Sequence, residues 1–197
     1  MVPSEMLRLT FALWGMWCVS TGFATQFLPL PIEELARSAD VVLRGEVISR
    51  RCDRDARGRL TTHIELAVSE VWKGTQTGRF TVVQAGGTLG DQRQAIIGQA
   101  EYHIGEEVVA FLAMNRFGEG VTLGLAHGKF SLTRAPDGEL RAQSAFHGHA
   151  SAPTLAAPRP AASVSAHSEA ALFSANPALA SPLTVARLKQ LVSQSTR

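Results

Sequence analysis

Cysteine is almost missing from this chain of 197 residues: only Cys18 and Cys52 occur. Cys18 falls inside an N-terminal apolar run that reads as a removable leader, so Cys52 would stand alone in the mature chain. That excludes a small inhibitor or toxin built on disulfides, and a fold exported without such staples must rest on its own core. Long apolar runs are lacking as well. The stretch from Leu9 to Val19 is roughly half of what a membrane span needs. Charge of one sign is also scarce, with a formal net charge of +2 and no unbroken basic block. Phosphate-backbone binding needs a concentrated basic patch, so nucleic acid is not expected as a partner. Aromatic residues make up 7% of the chain, and those near the strands, such as Trp72, Phe80 and Phe111, mostly alternate with core positions. Base-stacking platforms are correspondingly few.

What is present divides into four segments. Residues 1–24 read as a signal peptide: Arg8 precedes the apolar run LTFALWGMWCV, and the small residues Gly22 and Ala24 mark a cleavage point after Ala24. A start at Met6 gives the cleaner opening MLR. Lipid attachment at Cys18 fits less well, because bulky Met16 and Trp17 stand where that chemistry wants small residues. The expected location is periplasmic or secreted, with no membrane span in the mature chain. Residues 25–147 read as a β domain behind a short helix, residues 148–166 as an Ala/Pro/Ser-rich linker, and residues 167–197 as a helical tail.

Within the β domain, Ile104 to Asn115, IGEEVVAFLAMN, is apolar on both sides of a period of two and predicts a central strand buried on both faces. Pro31 to Ser38 predicts a helix with Ile32, Leu35 and Ala36 on one face. Ala39 to Ser49 predicts the first strand, with Gly45 permitting a bend or close crossing, and Arg50 to Arg59 a polar loop. In Leu60 to Lys73 the apolar parity of Ile64, Leu66 and Val68 is broken at Val71, which predicts a bulge near Ser69 and Glu70. Further strands are expected over Arg79–Ala85 and Gln92–Ala100, then a last pair, Val121–Leu125 with Lys129–Thr133, and a tight turn at Asp137-Gly138. Ser181-Pro182 reads as the start of a C-terminal amphipathic helix with Val185, Leu188, Leu191 and Val192 on one face. The fold class is mainly β: a small five- to six-stranded OB-like barrel with flanking helices.

The ordered motifs LARSADVVLRGEV, VSEVWKG, QAGGTLG, IGEEVVAFL and GLAHGKFSL resemble a group of uncharacterised exported bacterial proteins. Members of that group are similar to the small barrel of the netrin and tissue metalloproteinase inhibitor (TIMP-like) class. The resemblance spans Leu35 to Thr133 and implies a fold. It transfers no inhibitory residue, because the inhibitors place an N-terminal cysteine on the protease zinc and this chain has no counterpart.

Candidate chemistry is sparse. His147 and His149, two apart, face one way in an extended segment and with His127 offer a partial metal-ligand set, against the favoured reading of ordinary exposed histidines. Gly86, Gly87 and Thr88 could present backbone amides to an anion, but the stretch lacks the lysine of a phosphate loop, and a strand connection is the favoured reading. Cys52 is a candidate reactive thiol in a charged turn. Glu106 and Glu107 are neighbours on a strand, point to opposite faces and cannot act as a paired acid and base. No catalytic residue and no cofactor is indicated. The leading expectation is a non-catalytic exported binding or structural module with another exported protein as a candidate partner. Behind it come a regulator of a secreted metalloprotease and an enzyme without an identifiable site.

Overall fold

The computed structural model describes residues 30–148 and 182–195. Helix α1 (Ile32–Ser38) leads into β1 (Val41–Arg54), β2 (Leu60–Lys73) and β3 (Arg79–Ala85). A hairpin of β4 (Gly87–Leu89) and β5 (Gln92–Gln94) follows, then β6 (Glu107–Met114), β7 (Gly120–Thr122), β8 (Lys129–Arg134), β9 (Leu140–Gln143) and helix α2 (Val185–Ser195). Five strands close a barrel in the order β1-β2-β3-β7-β6, with β6 pairing back onto β1. The β3–β7 contact is parallel and the other barrel pairs are antiparallel. This is the small closed OB-like barrel expected from the strand count.

Closing so few strands demands strong coiling, and β1 and β2 supply it. Gly45 pairs with Val68 while Arg44 pairs with Glu70, so Ser69 is the extra residue of a bulge, where the parity break fell. A Cβ on Gly45 would lie 2.6 Å from the carbonyl oxygen of Ala67, so only glycine permits this crossing. β6 is apolar on both faces because it serves two cores. Val108, Ala110 and Leu112 face the barrel interior with Leu43, Ile64 and Leu66. Val109 and Phe111 face outward beneath the helices, with Phe130, Leu35, Leu188 and Val192.

Both helices cover that outer core. Ile32, Leu35 and Ala36 are the buried face of α1, as the sequence pattern indicates. The Lys73 ammonium donates to the carbonyls of Ala36 (2.9 Å) and Arg37 (3.1 Å), satisfying the helix C-terminus with a cation. Helix α2 buries Val185, Leu188 and Val192, Lys189 pairs with Glu70, and the Ala142 N–H donates to the Leu183 carbonyl at 2.8 Å. The C-terminal helix therefore docks on the barrel. Its cap is Thr184, whose hydroxyl accepts from the Arg187 N–H at 3.2 Å, and Ser181 lies outside the described residues.

Several strand assignments differ from the sequence reading, which has no counterpart to β4 or β9. Arg50 to Arg54 continues β1, leaving only Asp55–Arg59 as the turn, because this hairpin projects beyond the barrel and carries polar residues on both faces. The strand expected over Gln92–Ala100 is limited to β5, and residues 95–106 form an irregular strap that buries Ala100 and Tyr102. β7 and β8 do not pair with each other. Both run along one edge of β6, interrupted by residues 123–128, where the Phe111 N–H donates to Gly128 O (2.7 Å) and Phe111 O accepts from the Leu123 N–H (3.0 Å). Among the described residues no helix is long and apolar enough to cross a membrane. Residues 1–29, which include the expected leader, and residues 149–181, which include the rest of the expected linker, lie outside the described residues.

Candidate functional site

The strap after β5 divides two clefts, and Gln99, Ala100 and Glu101 form part of the lining of both. On the β8 side, alternation along the strand puts Lys129 and Ser131 on one face, and the β6–β8 register brings Val108 opposite Ser131. The turn just before β6 thereby delivers the Glu106 carboxylate. Its Oε1 accepts from Lys129 Nζ at 2.5 Å and from Ser131 Oγ at 2.6 Å, and Lys129 Nζ also lies 2.9 Å from Ser131 Oγ. The Lys129 and Glu106 side chains are only 10% and 17% exposed. The ammonium also stands 5.5 Å from the centre of the Tyr102 ring. Tyr102 is itself buried and shares a 2.8 Å hydrogen bond with Thr122, and burial pushes its phenol well above the ordinary range. Glu107, the first residue of β6, points the other way, to Arg44 at 2.7 Å.

This cluster holds a hydroxyl, an amine and a carboxylate, yet it is arranged as a closed pin. Burial alone would raise the Glu106 carboxyl, but the hydrogen bonds from Lys129, Ser131 and the His103 amide outweigh it and hold the group below its ordinary value. A carboxylate so stabilised is a poor base, and the Ser131 proton is directed at it rather than at an approaching substrate.

The second cleft, of about 320 Å³, lies between the β4–β5 hairpin, the strap and the β1–β2 sheet. Arg50 from β1 and Arg93 from β5 line it, with Gln84, Gln94, Gln99 and Thr88. Gln84 donates to the Ala100 carbonyl at 2.9 Å and steadies the strap. Arg54 bonds Gln92 and so ties the two hairpins together. Hydrogen bonds and ion pairs engage Arg44, Arg51, Arg59 and Arg79, whereas the Arg50 and Arg93 side chains have neither.

The stretch Gly86-Gly87-Thr88 lines this cleft, but its glycines answer to packing. Gly86 donates its N–H to Leu60 O at 2.8 Å, so that amide is not open to an anion, and its carbonyl accepts from Thr62 Oγ1 at 2.7 Å. Gly87 has φ of 138°, and a Cβ there would press on Cys52 Sγ at 2.6 Å. Cys52 accordingly lies in β1 opposite Thr62, half-buried under the hairpin, and not in a turn.

His127 and His147 are buried, 5% and 4% exposed, which corrects the reading of exposed histidines. Their rings pack on aromatic faces: His127 stacks on Phe146 at 4.0 Å, and His147 lies 5.9 Å from Phe130. A carbonyl can only accept, so His127 Nδ1 donates to Gly124 O at 2.7 Å. Among the described residues no three His, Cys, Asp or Glu side chains are grouped to hold a metal, and His149 lies outside them. Comparison with protein-family models and with curated proteins gives no match for this chain.

Sequence reasoning singled out Gly86 to Thr88, on one wall of the second cleft, but named neither of its arginines and missed the first cleft. The parity of Lys129 and Ser131 is legible in the sequence, and so is the turn acid Glu106, but their meeting depends on the β6–β8 register. Arg50 and Arg93 stand 43 positions apart by their numbering, 93 − 50, in segments read as a loop and as a strand.

Proposed function

We propose that the chain is an exported, non-catalytic binding module on a TIMP-like OB barrel, with its ligand seat in the Arg50–Arg93 cleft. The observation that carries this reading is the contrast in commitment: the Glu106–Lys129–Ser131 cluster is closed on itself, while the neighbouring cleft keeps two guanidinium groups unpaired. The leader-like residues 1–24 support export, and the motif order from Leu35 to Thr133 supports the exported family. The inhibitor reading places its contact at Thr25 to Ile32, of which residues 25–29 lie outside the described residues.

The reading is tested by NMR titration of the full chain with a panel of neutral and charged small polar molecules. Shift changes are expected at Gln84, Gly87, Arg93 and Gln99 and not at Ser131. An ester- or amide-hydrolysing activity abolished by Ser131→Ala would replace the binding module with an enzyme. Sequencing the mature N-terminus tests export: a chain beginning near Thr25 is expected, and an intact Met1 or Met6 refutes it.

A further inference from the structure

We propose that the Arg50–Arg93 cleft selects a small hydroxylated molecule carrying an oxyanion, a sugar phosphate or a sugar acid; this deepens the binding-module reading and rests on it. Arginine is charged at all working pH values, and its planar fork matches carboxylate and phosphate oxygens in pairs. Here two such forks line one cleft from separate, rigid elements. Arg50 sits on β1 in register with Ile64, and Arg93 sits on β5 in register with Thr88. Glu101 is the acid on the cleft wall, so two cations face one carboxylate. That carboxylate is 84% exposed, lies 3.9 Å from the His103 ring and forms no ion pair with either arginine.

The remaining lining sets the rest of the ligand. Gln94, Gln99 and Thr88 offer amide and hydroxyl groups suited to the hydroxyls of a polyol. Among the described residues no aromatic side chain lines the cleft, which gives a base or an aryl ring nothing to stack on. A volume of about 320 Å³ suits a single sugar-sized ring rather than a polymer. The frame of the seat is set, because Gly87 lets the hairpin lie directly on Cys52 and Thr62 and so fixes the backbone that carries Arg93 relative to β1.

Calorimetric titration of the full chain with glucose 6-phosphate, glucuronate, inorganic phosphate and glucose separates the possibilities. At least one of the two charged sugars is expected to bind saturably and about tenfold or more tighter than glucose, with affinity falling as salt rises. Whichever binds better tells phosphate from carboxylate. Arg50→Gln and Arg93→Gln should each weaken binding about tenfold, and Glu101→Gln should tighten it a few-fold. Arg57→Gln, at the hairpin tip outside the cleft, should leave it unchanged, and thermal unfolding of each variant verifies the fold. Glucose binding as tightly as its charged counterparts would overturn the oxyanion inference while leaving the binding module standing. Equal losses from Arg57→Gln and Arg93→Gln would reduce the effect to overall charge and overturn it as well. So would the absence of saturable binding by all four probes at about 10 mM.

Discussion

The two clefts on either side of the strap are built from similar polar side chains and end in opposite states. In one, Lys129, Ser131 and Glu106 meet within 2.9 Å of each other and leave little for a ligand. In the other, Arg50 and Arg93 are separated across a cleft and have no protein partner. Burial explains the difference. A charge at a barrel edge that is nearly enclosed must be matched or it destabilises the fold, whereas an exposed guanidinium is matched by water until something better arrives. The chemically richer cluster is thus structural, and the plainer pair is the one open to binding.

The frame that carries both clefts should be the most sensitive point. Phe111 is fully buried 5.5 Å from Phe130, the residue between Lys129 and Ser131, and its backbone holds the ends of the β7–β8 interruption. Phe111→Asp should remove at least about 4 kcal/mol and abolish cooperative unfolding, erasing both clefts at once. A native-like melting curve would place Phe111 outside the core. Next in size is a direct contrast. Lys129→Ala leaves the Glu106 carboxylate enclosed without its cation and should cost about 2 to 3 kcal/mol in urea unfolding, while Arg93→Ala should cost less than about 0.5 kcal/mol. Similar costs for the two would mean that the clefts do not differ in the way described.

The third effect tests the hairpin wall of the open cleft. Gly87→Ala combines a φ that side chains rarely adopt with pressure on Cys52 and Thr62, so β4–β5 should lift from the sheet at a cost of about 1 to 2 kcal/mol. Cys52 should then react several-fold faster with a disulfide reagent under native conditions, since access governs thiol reactivity. An unchanged rate would show that the hairpin does not cover Cys52.

The sequence discloses the frame better than the clefts, for a physical reason. β6 is legible because serving two cores writes apolar residues on both parities, and the Ser69 bulge is legible because it breaks a parity. Arg50 to Arg54 is illegible as strand because the face it shares with Leu60 and Thr62 is covered by the β4–β5 hairpin over arginines and a single cysteine, so it carries no apolar period. The strap misleads in the other direction: Ile96 and Ile97 suggest a buried strand, yet Ile97 is 95% exposed and Tyr102 is the side chain that enters the interior. Both clefts arise from register and from the packing of one hairpin on another, and nothing local in the sequence records either.

The smallest expected effect concerns acid. Because Glu106 is held below its ordinary value of 4.5 in the folded chain, its contribution is fully present above that value and is lost as pH falls through the folded one. Unfolding free energy should therefore decline as the solution is acidified below the ordinary glutamate range. Glu70, held down by Lys189, and Asp55 and Asp137, held down by the backbone amides of Arg59 and Glu139, titrate in the same direction. The informative quantity is accordingly the difference between two curves. Glu106→Gln should be less stable than the native chain at neutral pH and should lose stability less steeply in acid, so the curves converge. An Arg50→Gln/Arg93→Gln double variant should run parallel to the native chain throughout, because neither arginine is paired with a carboxylate. Parallel curves for Glu106→Gln would mean that its hydrogen bonds with Lys129 and Ser131 do not favour the ionised form, and the polar groups of that cluster would then be as available to a ligand as the two arginines.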